Sequence, residues 1–209
     1  MKISVIMPVY LGGYQVNIHK SASNPHKKFA RAIDSFLSQT FIDSELVIVS
    51  DGDADAEKIY NWLYSQCNNI RFKLIEKQGL FSGVVRQTGL DMAQGDIVCY
   101  LDHDDMFGKN HLFTIAENFN TDYYDWVYYN DMLVKNENRD IMEVRDVKPE
   151  PSSIGTSSIA HKRNIGVKWG NGYGHDIEMI QKYLLPRPCI KIPMPQYYVC
   201  HCSGLNMDF

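Results

Sequence analysis

The chain has 209 residues, 44% of them hydrophobic and 22% charged, with a formal net charge of −4. A chain of this size can bury a substantial core without disulfides or structural metals, as one domain or one domain with a small appendage. The negative balance excludes a global basic field of the kind that holds nucleic acid or an anionic membrane. Five cysteines, Cys67, Cys99, Cys189, Cys200 and Cys202, form no C-x-x-C pair. An odd count without that spacing argues against a disulfide framework and a zinc ribbon, and fits reduced thiols in a cytoplasmic protein.

Ile3-Ser4-Val5-Ile6-Met7 is a β-branched run ending at Pro8, which reads as a buried strand. It is too short for a signal peptide or a membrane span, and no later segment approaches the needed length. His26-Lys27-Lys28, with Arg31 one turn on, reads as the solvated start of a helix. That helix carries Phe29, Ile33, Phe36 and Leu37 at helical spacing and runs to about Gln39. Leu46 to Val49 is a second strand, closed by Ser50-Asp51-Gly52-Asp53, and Ile59, Trp62 and Leu63 mark a second helix. A strand over Ile70 to Ile75 precedes a helix over Val84 to Ala93, with Gly95 as its left-handed cap. Ile97 to Leu101 is a fourth strand that runs into Asp102-His103-Asp104-Asp105.

This alternation predicts an α/β fold, a mostly parallel sheet with helices on both faces. The strands are apolar throughout, as double coverage requires. Further on, the pattern gives a helix over His111 to Phe119, a strand over Trp126 to Tyr129, and a hairpin of Met132–Val134 against Met142–Val144. Pro149 to Gly174 is rich in Ser, Gly and Pro and reads as loop, a candidate mobile lid. A helix from His175 to Leu185 and a strand from Gln196 to Cys200 complete the pattern. The aromatic group Tyr123, Tyr124, Trp126, Tyr128 and Tyr129 fits an interface, an acceptor platform or core; the strand pattern favours core.

Ligands of an open parallel sheet bind beyond the carboxyl ends of its strands. Pro8-Val9-Tyr10, Ser50-Asp51-Gly52-Asp53 and Asp102-His103-Asp104-Asp105 all lie there by sequence. Three carboxylates in four residues repel one another, and a bound divalent cation would relieve them. Oxygen ligands suit Mg²⁺ or Mn²⁺ bridged to substrate phosphates. The competing reading is a solvated acidic turn with Asp105 as the N-cap of the next helix. Asp51-Gly52 is a common turn, yet at the sheet edge its carboxylate can pair with a nucleobase. Arg86 can reach a diphosphate or orient Asp102.

These residues, in this order, resemble the family 2 glycosyltransferases of the GT-A fold. Val5 to Tyr10 is similar to that family's first strand and nucleotide-contacting turn, and Ala32 to Thr40 to its first helix. Leu46 to Gly52 resembles the strand whose terminal Asp recognises the base, usually uracil. Gly83 to Gly95, with Arg86, resembles the segment before the metal motif, and Tyr100 to Asp105 the D-x-D motif itself. Gly174-His175-Asp176 resembles the short acidic motif that supplies the catalytic base, with His175 where an acidic residue often stands. Tyr198 to His201 resembles the late strand whose His can complete the metal site, and Gly155 to Ser158 a loop on the acceptor side. Two departures stand out: residues 11 to 28 are longer than the family's usual link, and an Asn often found after the tyrosine is absent.

The resemblance implies one glycosyltransferase domain over 1–209, with a nucleotide-sugar-binding half at 1–107 and an acceptor and catalytic-base half at 108–209. It implies inverting transfer from a nucleotide-sugar, a UDP-sugar by family habit, to a saccharide or glycolipid acceptor. Donor contacts fall to Pro8, Val9, Tyr10, Asp51, Arg86, Asp102 and His103. Asp104 and His201, with Asp102 as a further candidate, would hold Mn²⁺ or Mg²⁺, and Asp176 would be the base. The expected setting is cytoplasmic, compatible with peripheral association at the inner face of the membrane, with little room after His201 for an acceptor domain or anchor. Two competing readings remain: a nucleotidyltransferase, for which Gly12-Gly13 with Lys20, Lys27 and Lys28 would hold a triphosphate, and a non-catalytic nucleotide-sugar-binding module.

Overall fold

The computed structural model describes residues 1–12, 24–79, 81–120, 123–134, 142–151, 153–192 and 196–200. Four strands, β1 (Ile3–Val9), β2 (Ser44–Asp51), β3 (Ile70–Ile75) and β4 (Ile97–Tyr100), run parallel in the order β4-β1-β2-β3. The chain builds outward from β1 to β3 and then returns to lay β4 on β1's other side. That reversal opens a crevice between the carboxyl ends of β1 and β4, the position where such sheets take ligands.

Side-chain alternation explains why β1 is buried on both faces. Ile3, Val5, Met7 and Val9 pack with Phe29, Ile33 and Phe36 of α1 (Pro25–Leu37), while Ile6 points into a second cluster with Val98, Tyr100 and Trp169. α2 (Ala54–Leu63) leaves Trp62 82% exposed, so its buried stripe is narrower than the sequence pattern suggests. α3 (Gly83–Met92) lies close on β1: a Cβ on Gly89 would stand 2.5 Å from the Ile6 Cγ2.

The second half of the chain joins the same sheet. β6 (Trp126–Tyr129), β9 (Ile159–Lys162) and β10 (Cys189–Ile192) extend it to seven strands, β10-β6-β9-β4-β1-β2-β3. β9 runs antiparallel to both β4 and β6, so β6 is parallel to β4. A smaller sheet, β5-β11-β7-β8, is built from β5 (Met106–Phe107), β7 (Asp131–Val134), β8 (Met142–Arg145) and β11 (Tyr197–Cys200). α4 (His111–Asn118) packs Leu112 and Ile115 into the first cluster, and α5 (His175–Met179) continues into a π turn over Ile180–Leu184.

Several sequence expectations change. The stretch read as a mobile lid contains β9, which sits mid-sheet between β4 and β6 and is hydrogen-bonded on both sides. Lys28 and Arg31 are buried, not solvated. Gly95 is not a left-handed cap: the residue after α3 is Ala93 in an extended conformation. Gly95 is needed for close approach, since a Cβ there would lie 2.6 Å from the Ser4 amide nitrogen and 2.8 Å from the Lys2 carbonyl oxygen. The hairpin stands as expected, with Met132 opposite Val144 and Val134 opposite Met142. Cys67, Cys99, Cys189 and Cys200 are free thiols, and Cys202 lies outside the described residues.

Two histidines are walled into this core. The His111 ring stacks on Phe107 at 4.2 Å and has no hydrogen-bond partner for its Nε2; burial pushes its pKa down to about 3. Burial likewise lowers His161, which bonds the Tyr100 hydroxyl, to about 4. Both rings are neutral when folded and become charged only on unfolding. Stability is therefore full above the ordinary imidazole value of 6.5 and falls as pH drops from there toward about 4. Each ring steepens that fall by up to about 1.4 kcal/mol per pH unit. Urea denaturation between pH 7 and 5 should show this loss, and His111→Phe should remove about one proton's share of the slope. An unchanged slope in that variant would refute the neutral burial of His111.

Candidate active site

The carboxyl edge of the parallel strands carries an open cleft of about 270 Å³. Pro8, Val9, Tyr10, Asp51, Arg86, Asp102, His103 and Asp104 all line it. Three turns drawn from between Pro8 and Asp104 thus meet in one place, as the edge rule predicts. The structure adds Lys77, Phe81, Ser82, Val85 and His175 to the lining. Lys77 lies just past the end of β3 and Ser82 just before α3, so the same rule reaches them when carried beyond the obvious motifs.

Each turn is held by contacts that follow from its sequence. The Asp53 side chain caps α2, accepting the Asp55 and Ala56 amides at 2.9 and 3.2 Å, and also takes the Leu11 amide at 2.5 Å. This locks the turn after β1 to the turn after β2. Gly52 adopts φ 71, a left-handed conformation that relieves the Asp51-Gly52 turn. The Asp51 carboxylate accepts the Gln78 amide at 2.6 Å and pairs with the Lys77 ammonium, which itself lies 4.3 Å from the centre of the Tyr10 ring.

In the acidic turn the three carboxylates have different surroundings. Asp102 Oδ1 accepts Arg86 Nη2 at 2.7 Å, and this side chain remains 29% exposed. Arg31 donates to the Asp104 main-chain carbonyl at 2.6 Å, tying the turn to α1. Asp105 is turned inward and buried. It accepts the Tyr197 hydroxyl at 2.9 Å and the Cys200 amide at 2.8 Å, and the same Tyr197 oxygen accepts the Asp102 amide at 3.0 Å. Burial, followed by the charges of Asp104 and Asp102, holds the Asp105 carboxyl well above the usual range. Asp105 is therefore not the helix cap weighed from sequence; Asn110 stands at that position of α4.

Arg86 is the hub on the other side. Besides Asp102 it donates to Ser82 Oγ, to His175 Nε2 at 3.2 Å and to Thr156 Oγ1 at 3.5 Å. His175 Nδ1 lies 3.0 Å from the Gly172 carbonyl, which can only accept. The ring must then carry its proton on Nδ1 and receive Arg86 at Nε2. Burial lowers the His175 pKa, in keeping with that neutral form. Asp176, next in α5, is part-exposed and stands outside the cleft lining. His201 lies outside the described residues, and among those residues no three His, Cys, Asp or Glu side chains converge as a ready-made metal site. Ser157 and Ser158, placed on the acceptor side from sequence, donate to the buried Asp131 carboxylate at 3.2 and 3.1 Å.

The sequence model of glycosyl transferase family 2 matches residues 4–175. The chain belongs to that family. TarP of Staphylococcus aureus, a poly(ribitol-phosphate) β-N-acetylglucosaminyltransferase, is 33% identical over 113 residues, covering 53% of this chain and 31% of TarP. S. aureus TarS residues 1–349, solved with UDP-GlcNAc, superposes at a TM-score of 0.74 and 20% identity, over 95% of this chain and 58% of that one. The mannosyltransferase PcManGT of Pyrobaculum calidifontis, solved with GDP-Man and Mn²⁺, gives 0.66 at 16% identity, over 95% and 56%. At these identities the superpositions establish the GT-A fold. The chain spans about a third of TarP's length. Among the described residues of this family 2 glycosyltransferase, no helix is long and apolar enough to cross a membrane.

Tyr197 should prove the fastener of the acidic turn. Tyr197→Phe takes the hydroxyl partner from both Asp105 Oδ2 and the Asp102 amide, costing about 1–3 kcal/mol in urea denaturation. With Asp105→Asn in a double-mutant cycle, the two losses should fall short of adding by about 0.5 kcal/mol or more. Additive losses would show that the two groups do not depend on each other.

Proposed function

We propose that this glycosyltransferase moves a sugar from a nucleoside diphosphate sugar, a UDP-sugar by preference, onto a hydroxyl of a saccharide or glycolipid acceptor, with inversion. The convergence of Tyr10, Asp51, Arg86, Asp102 and Asp104 on one cleft carries the reading. The UDP-GlcNAc bound by TarS and the GDP-Man and Mn²⁺ bound by PcManGT support it. Within it, residues 1–107 form the donor half and 108–209 the acceptor and base half, and the cytoplasmic face of the membrane is a compatible place of work.

Asp51 and Tyr10 would take the base, with Pro8, Val9 and His103 shaping the nucleoside site. Arg86 fixes Asp102, whose other oxygen would meet the ribose or a water of a metal shell. The donor chemistry of the turn fits Mn²⁺ or Mg²⁺, which use one or two carboxylates and complete their shell with phosphate oxygens and water. Asp104 would hold that ion together with His201, while Asp105 is excluded by its inward turn. Held there, such an ion would supply charge neutralisation to a diphosphate leaving group. Asp176 would accept the acceptor hydroxyl proton as that oxygen bonds to the anomeric carbon from the face opposite the phosphate. The carbon–oxygen bond to the diphosphate breaks, and the nucleoside diphosphate departs.

Calorimetry with uridine, guanosine and thymidine diphosphates, in Mn²⁺ and in chelator, tests the donor site. UDP should bind in Mn²⁺, with at least about tenfold weaker affinity in chelator and in Asp104→Ala. Asp176→Asn should keep that affinity and lose transfer by about a hundredfold or more. Failure of all three diphosphates would overturn the donor-site reading. Transfer surviving in Asp176→Asn would overturn the base assignment alone.

A further inference from the structure

Four of the five aromatic residues Tyr123, Tyr124, Trp126, Tyr128 and Tyr129 offer no acceptor platform at the cleft. Trp126 and Tyr129 are buried, and Tyr123, Tyr124 and Trp126 precede or open β6. Because β6 is parallel to β4, they sit at the amino edge of the sheet, away from the cleft.

A different ring stands where an acceptor must arrive. Tyr173 is 93% exposed, three residues before Asp176. A lone ring in water means little by itself, but this one is set in a fixed frame. Gly172, just before it, accepts both the His175 amide, at 3.2 Å, and the His175 ring at Nδ1. Gly174, just after it, is left-handed at φ 75 and accepts the Glu178 amide at 2.9 Å. The Tyr173 ring meets the Phe81 ring edge-on at 6.1 Å, and Phe81 lines the cleft beside His175. The exposed ring is therefore continuous with the cleft wall and adjoins the first turn of α5.

We propose that Tyr173, buttressed by Phe81, is an acceptor subsite that stacks on a pyranose ring of a saccharide acceptor. A pyranose presents a face of C–H groups and a rim of hydroxyls. The aromatic face takes the former, and the part-exposed Asp176 and the exposed Glu178 and Asn171 leave a polar border for the latter. A lipid tail or an apolar helix would meet too small an apolar area and too many polar groups here. These bonds pin the turn within the protein itself, so little ordering opposes binding. The assignment rests on the glycosyltransferase reading with Asp176 as base.

A printed array of mono- to hexasaccharides, probed with fluorescently labelled protein in UDP and Mn²⁺, tests it. Wild type should bind at least one glycan, Tyr173→Ala should lose that signal about tenfold, and Tyr173→Phe should keep it within about twofold. Calorimetric affinity for UDP should be equal in all three proteins, and equal melting temperatures would confirm their folding. Wild type that binds no glycan, or Tyr173→Ala that binds like wild type, overturns the proposal. Glycan binding that follows the ring while UDP binds to none of the proteins would sink the donor reading and leave the subsite standing.

Discussion

The crowding of Asp102, Asp104 and Asp105 at the end of β4 is the constraint around which much of the molecule is arranged. Three carboxylates in four residues cannot share one environment without shifting their protons or finding counter-charges. The fold separates them. Asp102 is given to Arg86 of α3, the Asp104 main chain to Arg31 of α1, and Asp105 to Tyr197 and the Cys200 amide of β11. Each partner comes from a different element, so the turn is fixed only when α1, α3 and the second sheet are all in place. This accounts for the burial of Arg31 on α1, and for the presence of a two-residue strand, β5: it pairs with β11, which carries Tyr197.

The antiparallel strand β9 does comparable work on the other flank. Because it runs against β4, its beginning lies at the carboxyl edge, and the turn before it delivers Thr156 to Arg86. The chain after it then folds back over α3. Gly83 permits this, since a Cβ there would overlap the Gly170 carbonyl oxygen and lie 3.3 Å from the His175 ring. The amino end of α3 is consequently covered, and α5 begins against the cleft.

What could be read from the sequence follows from where burial and hydrogen bonding originate. β1, β2 and β4 are covered on both faces, so their apolar runs announced them, and the edge rule then placed Tyr10, Asp51, Asp102 and Asp104 together. β9 and β10 are not legible in the sequence because Ile-Ala-His-Lys and Cys-Ile-Lys-Ile are short and mixed, and they become strands only through neighbours far off in sequence. Asp105 admits a cap reading from sequence because its partners lie over 90 residues away. His175 showed only as a departure from an acidic motif; its tautomer and its bond to Arg86 depend on the fold-back that Gly83 allows. Gly95 reads from sequence as a helix-end glycine, whereas its close approach to Ser4 is a tertiary fact that a helix-end rule does not contain.

The guanidinium of Arg86 joins these two flanks. Asp102, Ser82, His175 and Thr156 come from four separate stretches of chain, and the Trp169 ring lies 5.4 Å from the guanidinium carbon. Only a planar fork with several donors can serve them at once; a lysine ammonium at the same place would lack the geometry for His175 and Asp102 together. A neutral His175 is part of this arrangement, since an imidazolium would set two cations against each other at 3.2 Å. An acidic residue in its place would pair with Arg86 and compete with Asp102 for it. The histidine accepts from Arg86 without that competition, and so couples the helix bearing Asp176 to the carboxylate that faces the cleft.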